Sequence, residues 1–214
     1  MNVNACNECG NRLGLKRNKE GVILCRACME DYSGRKCPDL QTQLEEANHI
    51  IDHIFLGTEQ CATEQAYLHK NSIRRVLVVG DQIGMPFERD PYFTYLRIPL
   101  HDESTANIRQ HFEECFAFIE KRVTEFGDDA GNVLVHCVAG MSRSPTIVIA
   151  YIMNKYGLPF VEAFNFVKQR RPIVQPNPGF VQQLKKFEAE LAKQGKLQSF
   201  PGGLPKTPWT PRPN

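Results

Sequence analysis

The sequence predicts an α/β fold in which a central, mostly parallel β-sheet is flanked by helices. From about residue 50 onward, short apolar runs alternate with longer amphipathic ones, which is typical of strands and helices that follow one another along the chain. The run at 75–80 contains four consecutive Val and Leu residues, as expected for a strand buried on both faces of a parallel sheet. Later segments carry apolar residues at every third or fourth position, which predicts helices that pack on that sheet.

Each predicted element has its own pattern. Four apolar segments predict strands at 50–57, 75–80, 94–98 and 132–135. Two segments predict helices because their apolar residues recur at helical spacing: Ile108, Phe112, Cys115, Ile119, Val123 and Phe126 in one, and Phe180, Leu184, Phe187 and Leu191 in the other. A further helix is predicted between Pro145, which suits a first helical turn, and Gly157, which suits the residue just past a helix end.

The composition is that of a folded chain without membrane segments. Of the 214 residues, 42% are hydrophobic and 23% are charged, which excludes disorder as the main state. The longest apolar run, at 147–153, is too short to cross a bilayer, and the polar start has no signal-peptide pattern. We therefore expect no membrane association and a location in the cytoplasm, the nucleus or both. A net charge of +2 gives no general argument for nucleic-acid binding.

Shifts in composition divide the chain into four segments. Two pairs of cysteines fall within 1–34, a polar linker follows at 35–46, and the α/β pattern runs through 47–195. The segment 196–214 holds five of the fourteen prolines and is predicted to be a disordered or polyproline-like tail. The length fits one main domain with a small module before it and a tail after it.

Two C-x-x-C pairs, separated by 15 residues, predict an N-terminal zinc module. A chain without a secretory signal keeps its eight cysteines reduced, so these pairs favour metal ligation over disulfides. They look like the two knuckles of a zinc ribbon or treble-clef finger, with a hairpin or loop between them. The predicted ligands of a structural Zn²⁺ are Cys6, Cys9, Cys25 and Cys28. Two alternatives stay open: a redox C-x-x-C motif, and cysteines that bind no metal.

Basic side chains around the two pairs have two interpretations. They can contact a nucleic acid or an acidic protein partner, or they can offset the negative charge of a tetrathiolate zinc site. Of the other cysteines, Cys115 is predicted to lie in the core, whereas Cys37 and Cys61 have no assigned role.

The segment 133–145 predicts a buried strand, a short loop and the start of a helix, which together form an anion site. Successive backbone N–H groups in such a loop converge on one point, where the helix N-terminus adds partial positive charge. Cys137 is expected to be a thiolate nucleophile there, and the planar fork of Arg143 matches two oxygens of a phosphate. Gly140 permits a tight bend, and Ser144 can donate to the Cys137 sulfur. The other predicted phosphate-binding residues are Val138, Ala139, Met141 and Ser142.

The same segment resembles the signature of a known enzyme family. The pattern His136-Cys137-x5-Arg143-Ser144 is similar to that of the cysteine-based protein tyrosine phosphatases, and residues 139–144 resemble their dual-specificity branch. Residues 166–172 and 176–184 look like parts of the closing helices of that family, so the resemblance covers roughly 47–194. It implies a protein phosphatase that acts on phosphotyrosine and on phosphoserine or phosphothreonine through a cysteinyl-phosphate, without a cofactor for catalysis.

This chemistry needs a general acid beside the pocket, and Asp102 is the predicted one. It follows a predicted strand and precedes a predicted helix, at about the distance from the nucleophile at which the family's acid is found. The alternatives are that Asp102 only caps the helix, or that Glu103, Asp81 or Asp90 is the acid. His136 comes directly before the nucleophile and should point the other way, so we expect it to hold the loop rather than act as a base.

These patterns predict that Cys137 attacks phosphorus, that Arg143 and the loop amides hold the phosphate oxygens, and that Asp102 protonates the leaving group and then activates water. The uncharged loop side chains argue against substrates with several phosphates, such as an inositol lipid or an RNA 5′-triphosphate, and favour a phosphoprotein. Three alternatives stay open: Cys137 as a simple buried cysteine, a phosphatase of non-protein phosphates, and a catalytically silent phosphoprotein-binding or zinc-dependent scaffold protein of the same fold.

Overall fold

The computed structural model describes residues 46–121 and 131–197, together with the backbone of two short segments at 16–17 and 23–24. Within these segments, no helix is both long enough and apolar enough to cross a membrane. The four predicted zinc ligands, Cys37, and most of the predicted linker and tail lie outside the described residues.

A five-stranded sheet forms the centre of the fold, with the strand order β3-β4-β7-β5-β6. All neighbouring strands in it are parallel except β3 and β4, which confirms the predicted mostly parallel sheet. A separate antiparallel pair is formed by β1 and β2. The strands are β1 Lys16–Arg17, β2 Ile23–Leu24, β3 Asn48–Ile51, β4 Ile54–Gly57, β5 Ile73–Val79, β6 Thr94–Ile98 and β7 Asn132–His136.

Helices flank this sheet, as predicted. They are α1 Glu59–Ala62, α2 Gln65–Lys70, α3 Phe112–Glu120, α4 Arg143–Tyr156, α5 Phe160–Arg170 and α6 Pro178–Lys193, with a 3₁₀ turn at Arg109–His111 before α3. Helix α4 lies at the centre of the helical packing, because it contacts α3, α5 and α6 as well as β4, β5 and β7. Every residue of α4 from Ser144 to Met153 is buried. The longest apolar run of the chain is therefore a core helix.

The predicted strand at 50–57 is wrong in one respect, because it is a hairpin of two strands. Asp52 has a φ of 50°, and the chain reverses there between β3 and β4. Asp tolerates the left-handed region because its short polar side chain bonds locally. Apolar residues stand on both sides of the turn, so the pattern could not separate the two strands.

The helix ends at Gly157 and Asn177 follow their sequence signals, whereas the start of α3 and the short helices α1 and α2 do not. Gly157, with a φ of 66°, ends α4 as predicted, and the side chain of Asn177 caps α6 by accepting from the N–H of Phe180 at 3.0 Å. The helix predicted to start at Ile108 begins instead with a 3₁₀ turn, and its predicted continuation at Val123 and Phe126 lies outside the described residues. The short helices α1 and α2 were not predicted, because four and six residues are too few to show a period.

Candidate active site

The connection between β7 and α4 carries the predicted nucleophile. Strand β7 ends at His136 and α4 begins at Arg143, so residues 137–143, here called the phosphate loop, leave the carboxyl edge of the parallel strands. This edge, where strand ends meet helix N-termini, is the usual place for ligand sites in α/β folds. Cys137 is only 2% exposed, at the start of the loop.

All five carbonyl groups of residues 138–142 accept hydrogen bonds from outside the phosphate loop. The pairs are Val138 with the N–H of Glu59 at 3.0 Å, Ala139 and Gly140 with the guanidinium of Arg171 at 3.3 and 3.0 Å, Met141 with the N–H of Gln175 at 2.7 Å, and Ser142 with the N–H of Thr146 at 3.1 Å. In a trans peptide, the carbonyl and the following N–H point in opposite directions. The N–H groups of residues 139–143 are therefore turned away from these partners, as needed to surround a bound anion.

Gly140 is the point at which the loop bends. Its φ is 63°, in the left-handed region that favours glycine. A Cβ at this position would lie 2.4 Å from the carbonyl oxygen of Gly57 and 2.7 Å from Nη2 of Arg171. Both the backbone conformation and the lack of space therefore require glycine, in agreement with the bend expected from the sequence.

Arg143 has a donor available for a ligand. Its Nη1 donates to the carbonyl of Leu100 at 3.3 Å, and its Nε lies 3.8 Å from Oδ2 of Asp102. The Nε atom is buried and donates to no group of the described residues. Because a buried N–H without an acceptor is costly, an oxyanion that supplies the acceptor would be stabilised at this position.

The hydroxyl of Ser144 donates to Sγ of Cys137 at 3.2 Å, and Ser144 is fully buried. A hydroxyl at this position can donate to the negative charge that develops on the sulfur when it leaves phosphorus. The structure thus brings together the residues that the sequence proposed for the nucleophile and its stabilisation.

Asp102 lies beside the phosphate loop rather than at a helix start. Its Oδ1 accepts from Oγ of Ser142 at 2.6 Å and from Nδ2 of Asn177 at 2.8 Å. The first helical residues after it begin seven positions later, at Arg109. Asp102 therefore does not cap a helix, and its other oxygen faces Arg143.

Two of the alternative acids have other partners. Asp90 accepts from the N–H of Tyr92 at 2.9 Å and from Nε2 of Gln65 at 2.9 Å, so it stabilises a turn. Asp81 lies 3.3 Å from Nε2 of His101. Glu103 is exposed, next to Asp102 on the same loop, and remains an alternative on position alone.

His136 is fully buried, and its Nδ1 lies 3.4 Å from the carbonyl oxygen of Cys137. Burial lowers the pKa of His136 to about 4, although the contact with that carbonyl opposes the shift. The ring is therefore neutral near pH 7, and it contacts the start of the phosphate loop, as expected.

Two residues received no role from the sequence. Asn177 holds Asp102 through its side chain, and its N–H donates to Oγ of Ser142 at 3.1 Å. Arg171 is fully buried behind the phosphate loop. Both lie in segments that the family resemblance includes, which was the only signal for them.

Among residues 46–121 and 131–197, no group of three or more His, Cys, Asp or Glu side chains is placed to hold a metal ion. Cys115 is fully buried, which confirms its predicted place in the core, and Cys61 is fully buried as well.

Comparison with known proteins gives the same assignment. The family model described as "Dual specificity phosphatase, catalytic domain" matches residues 54–190. MAP kinase phosphatase with leucine-rich repeats protein 2 of Dictyostelium discoideum is 43% identical over 67% of this chain and 20% of its own length. Dual specificity protein phosphatase 1B of Arabidopsis thaliana is 37% identical over 69% of this chain and 84% of its own length.

A solved structure extends the similarity to three dimensions. The human tyrosine phosphatase-like serine/threonine/tyrosine-interacting protein superposes with a TM-score of 0.63 and 33% identity, over 69% of this chain and 99% of that one. The chain spans only about a fifth of the Dictyostelium relative, so the similarity to that protein concerns its phosphatase domain. From the family match and the plant relative, the chain belongs to the dual specificity phosphatases of the cysteine-based protein tyrosine phosphatase superfamily.

Proposed function

We propose that the protein is a phosphatase that hydrolyses phosphotyrosine and phosphoserine or phosphothreonine in proteins through a cysteinyl-phosphate. The observation that carries this proposal is the phosphate loop, whose five carbonyls at 138–142 are bonded outward while Ser144 donates to the buried sulfur of Cys137. A loop of this kind presents N–H donors and a thiolate to the same bound phosphate.

In the first step, the thiolate of Cys137 attacks phosphorus, and the bond from phosphorus to the leaving oxygen breaks. Asp102 gives its proton to that oxygen, while Arg143 and the loop N–H groups hold the other phosphate oxygens. In the second step, water attacks the cysteinyl-phosphate and gives a proton to the Asp102 carboxylate. Inorganic phosphate leaves, and the thiolate returns with help from the hydroxyl of Ser144.

The loop side chains favour a monoester in a protein over a substrate with several phosphates. Val138 is 51% exposed, Ala139 and Met141 are partly exposed, and none of the three has a charge. Further phosphate groups would find no cation on these residues. The names of the relatives, which are dual specificity and MAP kinase phosphatases, support a phosphoprotein substrate.

A catalytically silent scaffold is not favoured. Such a protein has no need to keep a nucleophile, an arginine and an acid together, yet Arg143 lies beside Asp102 and Ser144 beside Cys137.

The first experiment measures hydrolysis of an aryl phosphate by the wild type and by Cys137→Ser, both in the presence of a metal chelator. We expect turnover by the wild type and none by the variant, whereas the control Cys115→Ala, a core cysteine far from the loop in sequence, should retain turnover. Equal rates for the wild type and Cys137→Ser would exclude the cysteine mechanism. Phosphotyrosine and phosphothreonine peptides, an inositol-lipid phosphate and a 5′-triphosphorylated RNA, assayed side by side, test the substrate class.

The N-terminal module belongs to the same proposal. Four thiolates from Cys6, Cys9, Cys25 and Cys28 are a suitable donor set for one structural Zn²⁺. The antiparallel pair of β1 and β2 lies between the two C-x-x-C pairs in sequence, which agrees with a hairpin between them. This module, at 1–34, is joined by the linker at 35–46 to the catalytic domain at 47–195. Its basic side chains either contact a protein or nucleic-acid partner or offset the negative charge of the zinc site.

Metal analysis of the purified full chain should find one zinc per chain. Cys6→Ser combined with Cys25→Ser should lose it because each pair is then broken, while Cys37→Ser, which lies outside the pairs, should keep it. A zinc-free wild type after purification with added zinc would exclude the module. We expect the protein in the cytoplasm or the nucleus, because Cys137 must stay reduced for the proposed reaction and these compartments keep thiols reduced.

A further inference from the structure

Arg171 is a fully buried cation that the reaction scheme does not use. It follows α5 directly, and none of its surface is exposed. Burial lowers the pKa of Arg171 to about 10, and negative charge on the neighbouring sulfur atoms of Cys61 and Cys137 would act in the opposite direction. The side chain is therefore still charged at neutral pH. A buried charge is stable only if it is well paired, so its partners indicate what it does.

On one side, Arg171 holds the middle of the phosphate loop. Nε donates to the carbonyl of Gly140 at 3.0 Å, and Nη2 donates to the carbonyl of Ala139 at 3.3 Å. The peptides that carry these carbonyls also carry the N–H groups of Gly140 and Met141. By fixing the two carbonyls behind the loop, the guanidinium fixes the direction of two of the N–H donors in front of it.

On the other side, Arg171 holds the chain where it enters the catalytic domain. Nη1 donates to Oδ1 of Asn48 at 2.7 Å and lies 3.4 Å from the carbonyl oxygen of Glu46. Asn48 is the first residue of the edge strand β3, and Glu46 closes the predicted linker. The same guanidinium thus connects the domain entry to the phosphate loop, which is about ninety residues away in the sequence.

Arg171 packs closely against Gly140. The space between Arg171, Gly140 and Gly57 is filled, since even one added carbon at Gly140 would be 2.7 Å from Nη2. A lysine keeps the charge but has a single nitrogen, so it cannot reach both loop carbonyls and Asn48 together.

We propose that Arg171 is a positioning residue that orients the N–H donors of the phosphate loop, and that Asn48 holds Arg171 in the position that does so. This rests on the function proposed above, because it assigns how the same anion site is kept in shape. Arg171 contacts the carbonyl side of the phosphate loop and no reacting atom. Its role is therefore to orient the loop.

The test compares Arg171→Lys and Asn48→Ala with the control Arg170→Lys. Arg170 is the preceding residue, but it stacks on Phe166 and donates to the carbonyl of that residue at 3.2 Å. For each full-length protein we measure the dissociation constant for inorganic phosphate, kcat and KM for an aryl phosphate, and the thermal midpoint.

Arg171→Lys is expected to weaken phosphate binding and lower kcat/KM together, each on the order of 10- to 100-fold. Asn48→Ala should shift both in the same direction by only about 3- to 10-fold, because Arg171 still has its two carbonyl acceptors in the phosphate loop. Arg170→Lys should leave both within about twofold of the wild type.

If folded Arg171→Lys and Asn48→Ala bind phosphate as the wild type does, the proposal is overturned, even if their thermal midpoints fall, because a purely structural role lowers only stability. If Arg171→Lys fails to fold, phosphate binding by Asn48→Ala decides between a positioning role and a purely structural one. A wild type that neither binds phosphate nor turns over substrate would instead contradict the proposed function itself.

Discussion

The phosphate loop and the acid loop, which is the segment 99–108 that carries Asp102, contact each other at Ser142 and Arg143 but are held in different ways. The carbonyls of the phosphate loop are bonded to backbone N–H groups or to the buried Arg171, and Cys137 is buried at its start. The acid loop is exposed from residue 101 to residue 105, and the side chain of Asp102 is 37% exposed.

The acid loop is attached mainly to α6 and the residue before it. Asn177 donates to Asp102, and Gln183 bridges the carbonyl of Ala106 and the N–H of Arg109 at 2.8 and 3.0 Å. The comparison teaches that the phosphate loop is fixed through its backbone carbonyls, which accept hydrogen bonds from main-chain N–H groups and from the buried guanidinium of Arg171. The acid loop, for which we propose the proton transfer, depends instead mainly on side-chain contacts of an exposed segment.

Arg143→Lys should have the largest effect of the three substitutions considered next. Lysine keeps the charge but loses the fork, so kcat/KM should fall on the order of 10³-fold and phosphate binding should weaken with it. Steady-state kinetics with an aryl phosphate and titration with inorganic phosphate measure the two quantities. The control Arg89→Lys, an exposed site on the segment between β5 and β6, should change neither. Unchanged phosphate binding in Arg143→Lys would contradict the role of the guanidinium as an anion ligand.

Asp102→Asn should impair proton transfer to the leaving group without weakening phosphate binding. The amide cannot donate the proton, so kcat/KM for phenyl phosphate should fall about 10²-fold, while an activated nitrophenyl ester, whose leaving oxygen needs no proton, should lose much less. Phosphate binding should stay close to that of the wild type, because none of the carbonyls of residues 138–142 is bonded to the acid loop.

Glu103→Gln is the matched control for this prediction, since it removes the neighbouring carboxylate on the same loop. If Glu103→Gln shows the dependence on the leaving group and Asp102→Asn does not, the assignment of the acid is reversed.

Gly179→Ala should give the smallest effect and tests the attachment of the acid loop. A Cβ there would lie 1.9 Å from the carbonyl oxygen of Ser104, so the acid loop and the start of α6 must move apart. We expect kcat/KM for phenyl phosphate to fall about 10-fold with phosphate binding unchanged, since small displacements of a catalytic group are costly. Gly84→Ala, at a site with open space around it, should change neither kcat/KM nor phosphate binding. A loss of phosphate binding in Gly179→Ala would contradict the expectation that phosphate binding does not depend on the position of the acid loop.

The sequence predicted the features that depend on neighbours along the chain. The strand, loop and helix around Cys137 could be predicted because an apolar run, a glycine and a helix start lie within a few residues of one another. The end of α4 at Gly157 followed from the glycine alone. Asp102 could be placed on a loop after a strand, but its partners could not, because Asn177 lies 75 positions away in the sequence.

Features that depend on distant contacts were missed. Arg171 meets Gly140 and Asn48 at sequence separations of 31 and 123 residues, so no local pattern indicated its role. The turn at Asp52 was not predicted, because apolar residues continue on both sides of it. A hydrophobic pattern gives no information on the φ of a single residue.

The most direct test of the mechanism is detection of the intermediate. Full-length protein is mixed with an aryl phosphate, quenched in acid within its turnover time, digested, and analysed by mass spectrometry. We expect one phosphoryl group on the peptide that contains Cys137, and none in Cys137→Ser. A wild type that turns over substrate but carries its phosphoryl group on another residue, or an adduct that persists in Cys137→Ser, would contradict the assignment of Cys137 as the nucleophile.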